Sequence, residues 1–423
     1  MSQSTTAPEQ IANTNTVTPR KKTLADIPRH DLHGKRVLVR VDFNVPQNDA
    51  LEITDDSRMR AALPTINYLT QHGAKVILMS HLGRPKGQHE AKYSLAPIAM
   101  HLKSLLPDTM VRFANDVVGD DATALLERLE NGEVLLLENT RFEPGEEKND
   151  PALAKQLAAM GDIFVNDAFG AAHRAHASTE GLTHFMPECV AGFLMANEIE
   201  ALSRVIHSPN RPLMAIIGGS KISSKISVLN QLIHVVDTLV IGGGMMFTFI
   251  AAQGGAVGHS LVEPDWIESA RELKRQAVQL GKQVIVATDV VAADAFSADA
   301  KTQICPANAI PEGWMGLDIG PESRKTIADA IQSAKTILWN GPMGVFELAP
   351  FEAGTRAVAE AVEAWTEGGH GESILGGGDT VSAIEQFGFK PEQFTHVSTG
   401  GGASLEFLEG RELPGIAALQ NAS

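Results

Sequence analysis

The chain has 423 residues, too long for one compact core and suited to two domains of roughly 150 to 200 residues each. Its composition is ordinary, at 43% hydrophobic and 20% charged, and its formal net charge of -16 opposes non-specific binding to nucleic acid or acidic membranes. No window approaches the roughly 18 apolar residues of a membrane span, and the N-terminus lacks the apolar core of a secretory signal, so a soluble cytoplasmic protein is expected.

Residues 1–22 are rich in Ser, Thr, Asn and Gln with little to bury, and read as a disordered extension. Strand candidates then follow at 36–43, 74–81, 133–138 and 162–167, separated by helical patterns at 57–71, 94–106, 121–129 and 151–160. The second half repeats the scheme, with strands at 212–219, 237–244, 283–291, 336–342, 373–378 and 395–401 and helices at 265–280, 322–334 and 352–366. Near-continuous apolar strands alternating with helices imply parallel sheets covered on both faces. A helix over 191–208 divides the two halves. The expected fold is therefore α/β: two doubly wound, Rossmann-like parallel-sheet domains over 23–190 and 209–410, joined by a hinge helix, with ligands in the cleft at the strand ends. Cys189 and Cys305 match no metal spacing and read as reduced, buried thiols.

Charge follows the strands of the first half. Asp42 and Asn44 stand in VDFNVP, His81 and Arg84 in SHLGRP, Arg141 in LENTRF, Asp167 and Arg174 in NDAFGAAHRAH, and Arg58 opens the first helix. Guanidinium groups converging from separate strand ends build a pocket for a ligand with more than one anionic group, because each fork meets carboxylate or phosphate bidentately. His81, His173 and His176 show no HExxH spacing, so zinc is not expected. His81 reads as a hydrogen-bond donor to an anion or as a structural residue.

Glycine follows the strands of the second half, in IIGGSK, VIGGGMMF, WNGPMG, LGGGDT and STGGGAS. Bare backbone lets peptide amides approach a ligand, and a following helix turns its positive end toward the same point. Lys221 and Lys225 in GGSKISSK are expected one helical turn apart, just inside a helix N-terminus, with an anion between them. Asp379 reads as a Mg2+ ligand beside bound phosphates, as an N-cap, or as both. Neither a GxxxxGK[ST] loop nor a GxGxxG turn occurs, so a bound nucleotide is held without either fingerprint.

With RVDFNVP, SHLGRP, LENTRF, NDAFGAAHRAH, GGSKISSK, LWNGPMGVFE, GGGDT and STGGGAS in this order, residues 23–423 resemble the phosphoglycerate kinase family. The resemblance implies that 3-phosphoglycerate or 1,3-bisphosphoglycerate meets Asp42, Phe43, Asn44, Arg58, His81, Leu82, Gly83, Arg84, Arg141 and Arg174 of the first domain. It implies that ADP or ATP meets Gly218, Gly219, Lys225, Gly242, Asn340, Glu347, Gly377, Gly378, Asp379 and Thr380 of the second. The cofactor implied is Mg2+ on Asp379, and Arg58, Lys221, Gly378 and Gly401 are expected around the transferring phosphoryl group. Residues 411–423 are expected to return to the first domain, and the chain to be a monomer that binds neither nucleic acid nor membrane. The 190–210 helix and the segment at Ser398 and Thr399 are expected as hinges. Ser224 stands where the family more often has Asp. A nicotinamide dehydrogenase lacks its fingerprint turn here, and the set Arg58, Lys221 and Asp379 weighs against a non-catalytic nucleotide-binding protein.

Overall fold

A computed structural model describes residues 20–422. In the N-terminal lobe β1 (Arg36–Arg40), β2 (Lys75–Met79), β3 (Val111–Phe113), β4 (Val134–Leu136), β5 (Ile163–Asn166) and β6 (Cys189–Ala191) form one sheet in the order β3-β4-β2-β1-β5-β6. All its pairings are parallel. The consecutive residues Val37, Leu38 and Val39 are all fully buried, as a strand covered on both faces requires. Helices α1 (Ser57–Gln71), α2 (Ala96–Leu105), α3 (Asp120–Glu127) and α4 (Pro151–Ala159) supply that cover. The start of α4 is chemically marked: Pro151 occupies its first turn, and the Asp150 carboxylate accepts the Ala152 and Leu153 amides.

The C-terminal lobe carries a second parallel sheet whose strands lie in the spatial order Gln283–Val286, Thr238–Ile241, Leu213–Ile217, Thr336–Asn340, Glu372–Gly376 and His396–Val397. The single strand expected over 283–291 is in fact two strands in different sheets. The Thr288 and Asp289 amides donate to Ser323 Oγ at 2.9 and 3.1 Å, and the chain turns there into Asp289–Ala293. That strand pairs antiparallel with Thr302–Pro306 and Met315–Ile319. Cys189 is buried and burial pushes its thiol up to about 12; Cys305, expected buried, is half-exposed. Among the described residues no helix is long and apolar enough to cross a membrane.

Helix α5 (Phe193–His207) runs from one lobe to the other. Its Glu198 is fully buried and accepts the Thr399 amide at 2.7 Å, the Thr399 hydroxyl at 2.9 Å and His396 Nε2 at 2.9 Å. The chain end lies on the N-terminal lobe, where the Gln420 amide donates to the Cys189 carbonyl at 3.0 Å and the Gly415 amide to Ala172 at 2.8 Å. Residues 20–22, assigned to a disordered extension above, are instead held by it. Lys21 Nζ donates to the carbonyls of Ala417 and Leu419, and Lys22 pairs with Glu188. The remainder of that extension lies outside the described residues.

Candidate active site

Neighbouring strands β1 and β5 start crossovers in opposite directions, and a crevice opens beyond their carboxyl ends. Asp42, Asn44, Arg58, His81, Arg84, Arg141 and Arg174 line one cleft there of about 460 Å3. Arg58 Nη1 donates to the Asn44 carbonyl at 3.0 Å and lies 3.4 Å from Asp42 Oδ2. Gly83 adopts φ +61°, reachable without strain only by glycine, and its amide donates to Asn44 Oδ1 at 2.9 Å. Arg141 Nη1 donates to the Gly83 carbonyl at 2.7 Å, and its Nε lies 3.3 Å from Glu147, an acid of the cleft that the sequence reading missed. Arg84 and Arg174 are exposed.

Phe43 and Leu82, expected against the substrate, are core residues at 0% and 4% exposure. The extended backbone alternates its side chains, so Asp42 and Asn44 face the cleft while Phe43 points inward.

A second layer behind this cup also escaped sequence reasoning. Arg40 on β1 is fully buried, with Nε donating to Ser178 Oγ at 2.8 Å and Nη1 to the Val41 carbonyl at 2.5 Å. Its Nη2 lies 3.2 Å from His81 Nδ1. Because a guanidinium only donates, Nδ1 accepts and the proton of His81 sits on Nε2. Burial pushes the His81 ring down to about 3; Asp42 opposes this and the cations Arg40, Arg141 and Arg58 add to it. His81 is thus a neutral donor. Burial also pushes Asp42 upward, but the neighbouring guanidinium charges of Arg58 and Arg40 help to hold the carboxyl low. Fully buried Glu146 accepts from Ser178 Oγ at 2.5 Å and so faces the Arg40 charge through that hydroxyl. His176 lines the cleft too, pushed down to about 4 by burial and then by Arg40, Arg141 and Arg174.

The glycines of the C-terminal lobe are of two kinds. A Cβ on Gly218 would lie 2.1 Å from the Pro342 carbonyl, one on Gly242 2.4 Å from Met343 Sδ, and one on Gly243 2.4 Å from the carbonyl of Gly219. These loops press on one another, so the protein itself excludes side chains there. By contrast, a Cβ on Gly378, Gly401 or Gly402 would meet nothing within 4 Å. Gly377, at φ +89°, is the N-cap of the helix Gly378–Gln386. Asp379 is therefore not the N-cap expected above; it is an exposed residue of the first turn. The unpaired amides of that turn open onto free space, an arrangement that attracts anions.

Beside them Asn340 is buried, and its Oδ1 accepts Lys225 Nζ at 2.8 Å while Nδ2 has no partner among the described residues. Thr380 Oγ1 accepts the Gly341 amide at 2.6 Å. Burial lowers Lys225, opposed by the carboxylates of Asp379 and Glu409. Lys221 and Lys225 do not share the first turn of a helix as expected. A 3-10 turn, Ile222–Ser224, separates them, and Lys225 is the N-cap of the helix Ile226–Val235. Ser224 spends its hydroxyl locally, donating to the Lys221 carbonyl at 2.8 Å. Glu347 is exposed on the loop after Asn340.

Gly400, Gly401 and Gly402 line the same cleft as the arginines, so Arg58 and Gly401 face one space contributed by both lobes. Lys221, Gly378 and the group around Asn340 are not part of its lining.

The family model described as Phosphoglycerate kinase matches residues 25–411. The chain belongs to the phosphoglycerate kinase family. The phosphoglycerate kinase of Herpetosiphon aurantiacus is 56% identical over 401 residues, covering 95% of this chain and 99% of the relative. That of Acaryochloris marina is 55% identical over 402 residues, covering 95% and 100%. Among solved structures, phosphoglycerate kinase from Coxiella burnetii aligns with a TM-score of 0.84 at 41% identity, covering 94% of this chain and 98% of that one. Phosphoglycerate kinase from Pyrococcus horikoshii aligns with a TM-score of 0.79 at 31% identity, with the same coverage. Phosphoglycerate kinase is thus the activity of this chain: it is a phosphotransferase of glycolysis with the family's two-lobed α/β fold.

Proposed function

We propose that the chain transfers a phosphoryl group reversibly between 1,3-bisphosphoglycerate and ADP, with the glycerate held by the arginine cup and the nucleotide by the glycine-bordered lobe. The observation that carries this division is the cleft in which Arg58, Arg84, Arg141 and Arg174 of one lobe face Gly400 to Gly402 of the other. Arg84, Arg141, Arg174 and the neutral Nε2–H of His81 grip the glycerate phosphate, and Asp42 and Asn44 orient its other end. Gly218, Gly219, Lys225, Gly242, Asn340, Glu347, Gly377, Gly378 and Thr380 make up the nucleotide site. The acceptor is a carboxylate without a proton to remove, so no general base is required. Arg58, Lys221 and the amides at Gly378 and Gly401 balance charge on the migrating group, and catalysis is mostly positioning and electrostatics.

Mg2+ fits this site. Asp379 offers an exposed carboxylate beside open amides, and Mg2+ usually binds through one or two carboxylates with phosphate oxygens and water as its remaining ligands. When bound, the ion neutralises phosphate charge. Lys221 and Gly378 lie outside the lining that holds Arg58, so the reading includes closure of the lobes about α5 and the Ser398–Thr399 segment, which also expels water. A monomeric, cytoplasmic enzyme completes it.

Steady-state kinetics of 3-phosphoglycerate phosphorylation by ATP, with and without Mg2+, test the assignments. Cationic stabilisers of phosphoryl transfer contribute about 10^3 to 10^5 in rate, so Arg58→Ala lowers kcat severely. Arg141→Ala mainly raises the KM for 3-phosphoglycerate. The reverse pattern refutes both roles. Small-angle scattering that detects no compaction with both substrates bound refutes closure.

A further inference from the structure

The C-terminal lobe contains a buried carboxylate that none of the roles above employs. Asp318, on the strand Met315–Ile319, is fully buried. Its Oδ2 accepts the Gly354 amide at 2.7 Å, and its Oδ1 accepts the amide of its own neighbour Ile319 at 2.8 Å. Burial pushes the carboxyl up to about 7, against those two amides and the charge of Arg324. A buried acid so sparsely satisfied destabilises the fold, and its surroundings indicate what it secures. A Cβ on Gly344 would lie 2.2 Å from Asp318 Oδ1, so the loop backbone rests directly against the carboxylate. Gly354, the amide it holds, begins the helix Ala353–Glu367 at its second residue. The next residue, fully buried Thr355, accepts the Met343 and Gly344 amides on Oγ1 at 3.0 and 3.3 Å. One residue further along the loop, the Val345 amide donates to the Leu317 carbonyl at 2.9 Å.

The segment that leads from Asn340 to Glu347 is therefore suspended between the Asp318 strand and Thr355. We propose that Asp318 and Thr355 are positioning residues for the nucleotide, fixing the path of this loop and with it the placement of Glu347. The inference rests on the assignment of Glu347 to the nucleotide site.

Two substitutions address it in the full chain. Asp318→Asn replaces one acceptor oxygen by an NH2 that opposes a backbone N–H, and Thr355→Val removes the shared hydroxyl at nearly constant volume. Each variant removes hydrogen bonds that hold the loop and should raise the KM for ATP about tenfold, with the KM for 3-phosphoglycerate within about twofold of the parent. Glu347→Ala serves as reference for the loop. If Glu347→Ala raises the KM for ATP and the two variants do not, the inference is wrong and the nucleotide assignment stands. If both KM values rise together, the residues merely support the fold and the inference is wrong. If Glu347→Ala leaves the KM for ATP unchanged, the assignment fails and this inference fails with it. Should Asp318→Asn not fold, Thr355→Val decides alone, in either direction.

Discussion

Gly378→Ala separates the demands of the fold from those of a ligand. Gly378 is the first residue of the helix Gly378–Gln386, its φ is not positive, and an added Cβ would meet no protein atom within 4 Å. The fold should accept alanine. At a compatible position Gly→Ala stabilises by roughly 0.4 to 1 kcal/mol, because the unfolded chain loses freedom, which corresponds to a rise of about 1 to 4 °C in Tm. The same Cβ projects into the space where the helix amides would meet a phosphate. Displacing one charge-assisted hydrogen bond there costs about 1.5 to 3 kcal/mol, or roughly 10- to 150-fold in nucleotide affinity. Gly218→Ala should instead destabilise the fold, since its Cβ would lie 2.1 Å from the Pro342 carbonyl. Backbone strain of that kind costs about 1 to 3 kcal/mol. Thermal unfolding without ligand, followed by titration with ADP, measures both quantities on one sample. A Gly378→Ala protein that is as stable as its parent and binds ADP within twofold of it would refute the claim that this space belongs to a ligand.

Arg40→Leu should destabilise the N-terminal lobe by about 3 to 5 kcal/mol in urea denaturation, because Glu146 is left buried without its counter-charge. Adding Glu146→Gln should recover part of that loss. His81 takes its proton at about 3 when folded and near 6.5 when unfolded. The unfolded chain binds more protons in between, so this ring lowers stability as pH falls through that window. The stability difference between the parent and His81→Asn should shift by about 2 kcal/mol from pH 7 to pH 5, to the parent's disadvantage. Asp167, raised by burial to about 6, works in the opposite direction, and Asp167→Asn should help most above pH 6. Glu198→Gln removes an acceptor that ties α5 to Thr399 and His396. It should lower stability by about 2 kcal/mol and separate the unfolding of the lobes in calorimetry; a single unshifted transition refutes the coupling.

The parallel strands of four or more residues were legible because a run such as Val37 to Val39 is apolar throughout. Strands β3 and β6 were not: the equally short β4 shows as the apolar run Val134 to Leu137, whereas Arg112 interrupts β3 and β6 offers only Cys189, Val190 and Ala191. The arginine cup was visible because its members follow strand ends. Its supporting layer was hidden for a reason of distance: Arg40 meets Ser178, 138 residues later, and nothing local marks the arginine at the end of RVLVR as buried rather than exposed. Lys221 and Lys225 were misplaced because a four-residue spacing suits a helix, whereas the chain spends Ile222–Ser224 in a 3-10 turn.

The glycine runs show where sequence inference stops. Glycine marks a place where a side chain is excluded without saying by what. At Gly218, Gly242 and Gly243 the excluding atoms belong to the protein, where the loops after three neighbouring strands crowd together. At Gly378 and Gly401 nothing in the protein excludes a methyl group, and only Gly401, at φ +51°, has a conformational reason to be glycine. Gly378 has neither reason. A residue that is glycine without a steric or conformational demand from its own chain sits in a helix first turn that would be more stable with alanine. On the function proposed above, the demand comes from a molecule that approaches the backbone from outside, and the unpaired amides there favour an anionic group.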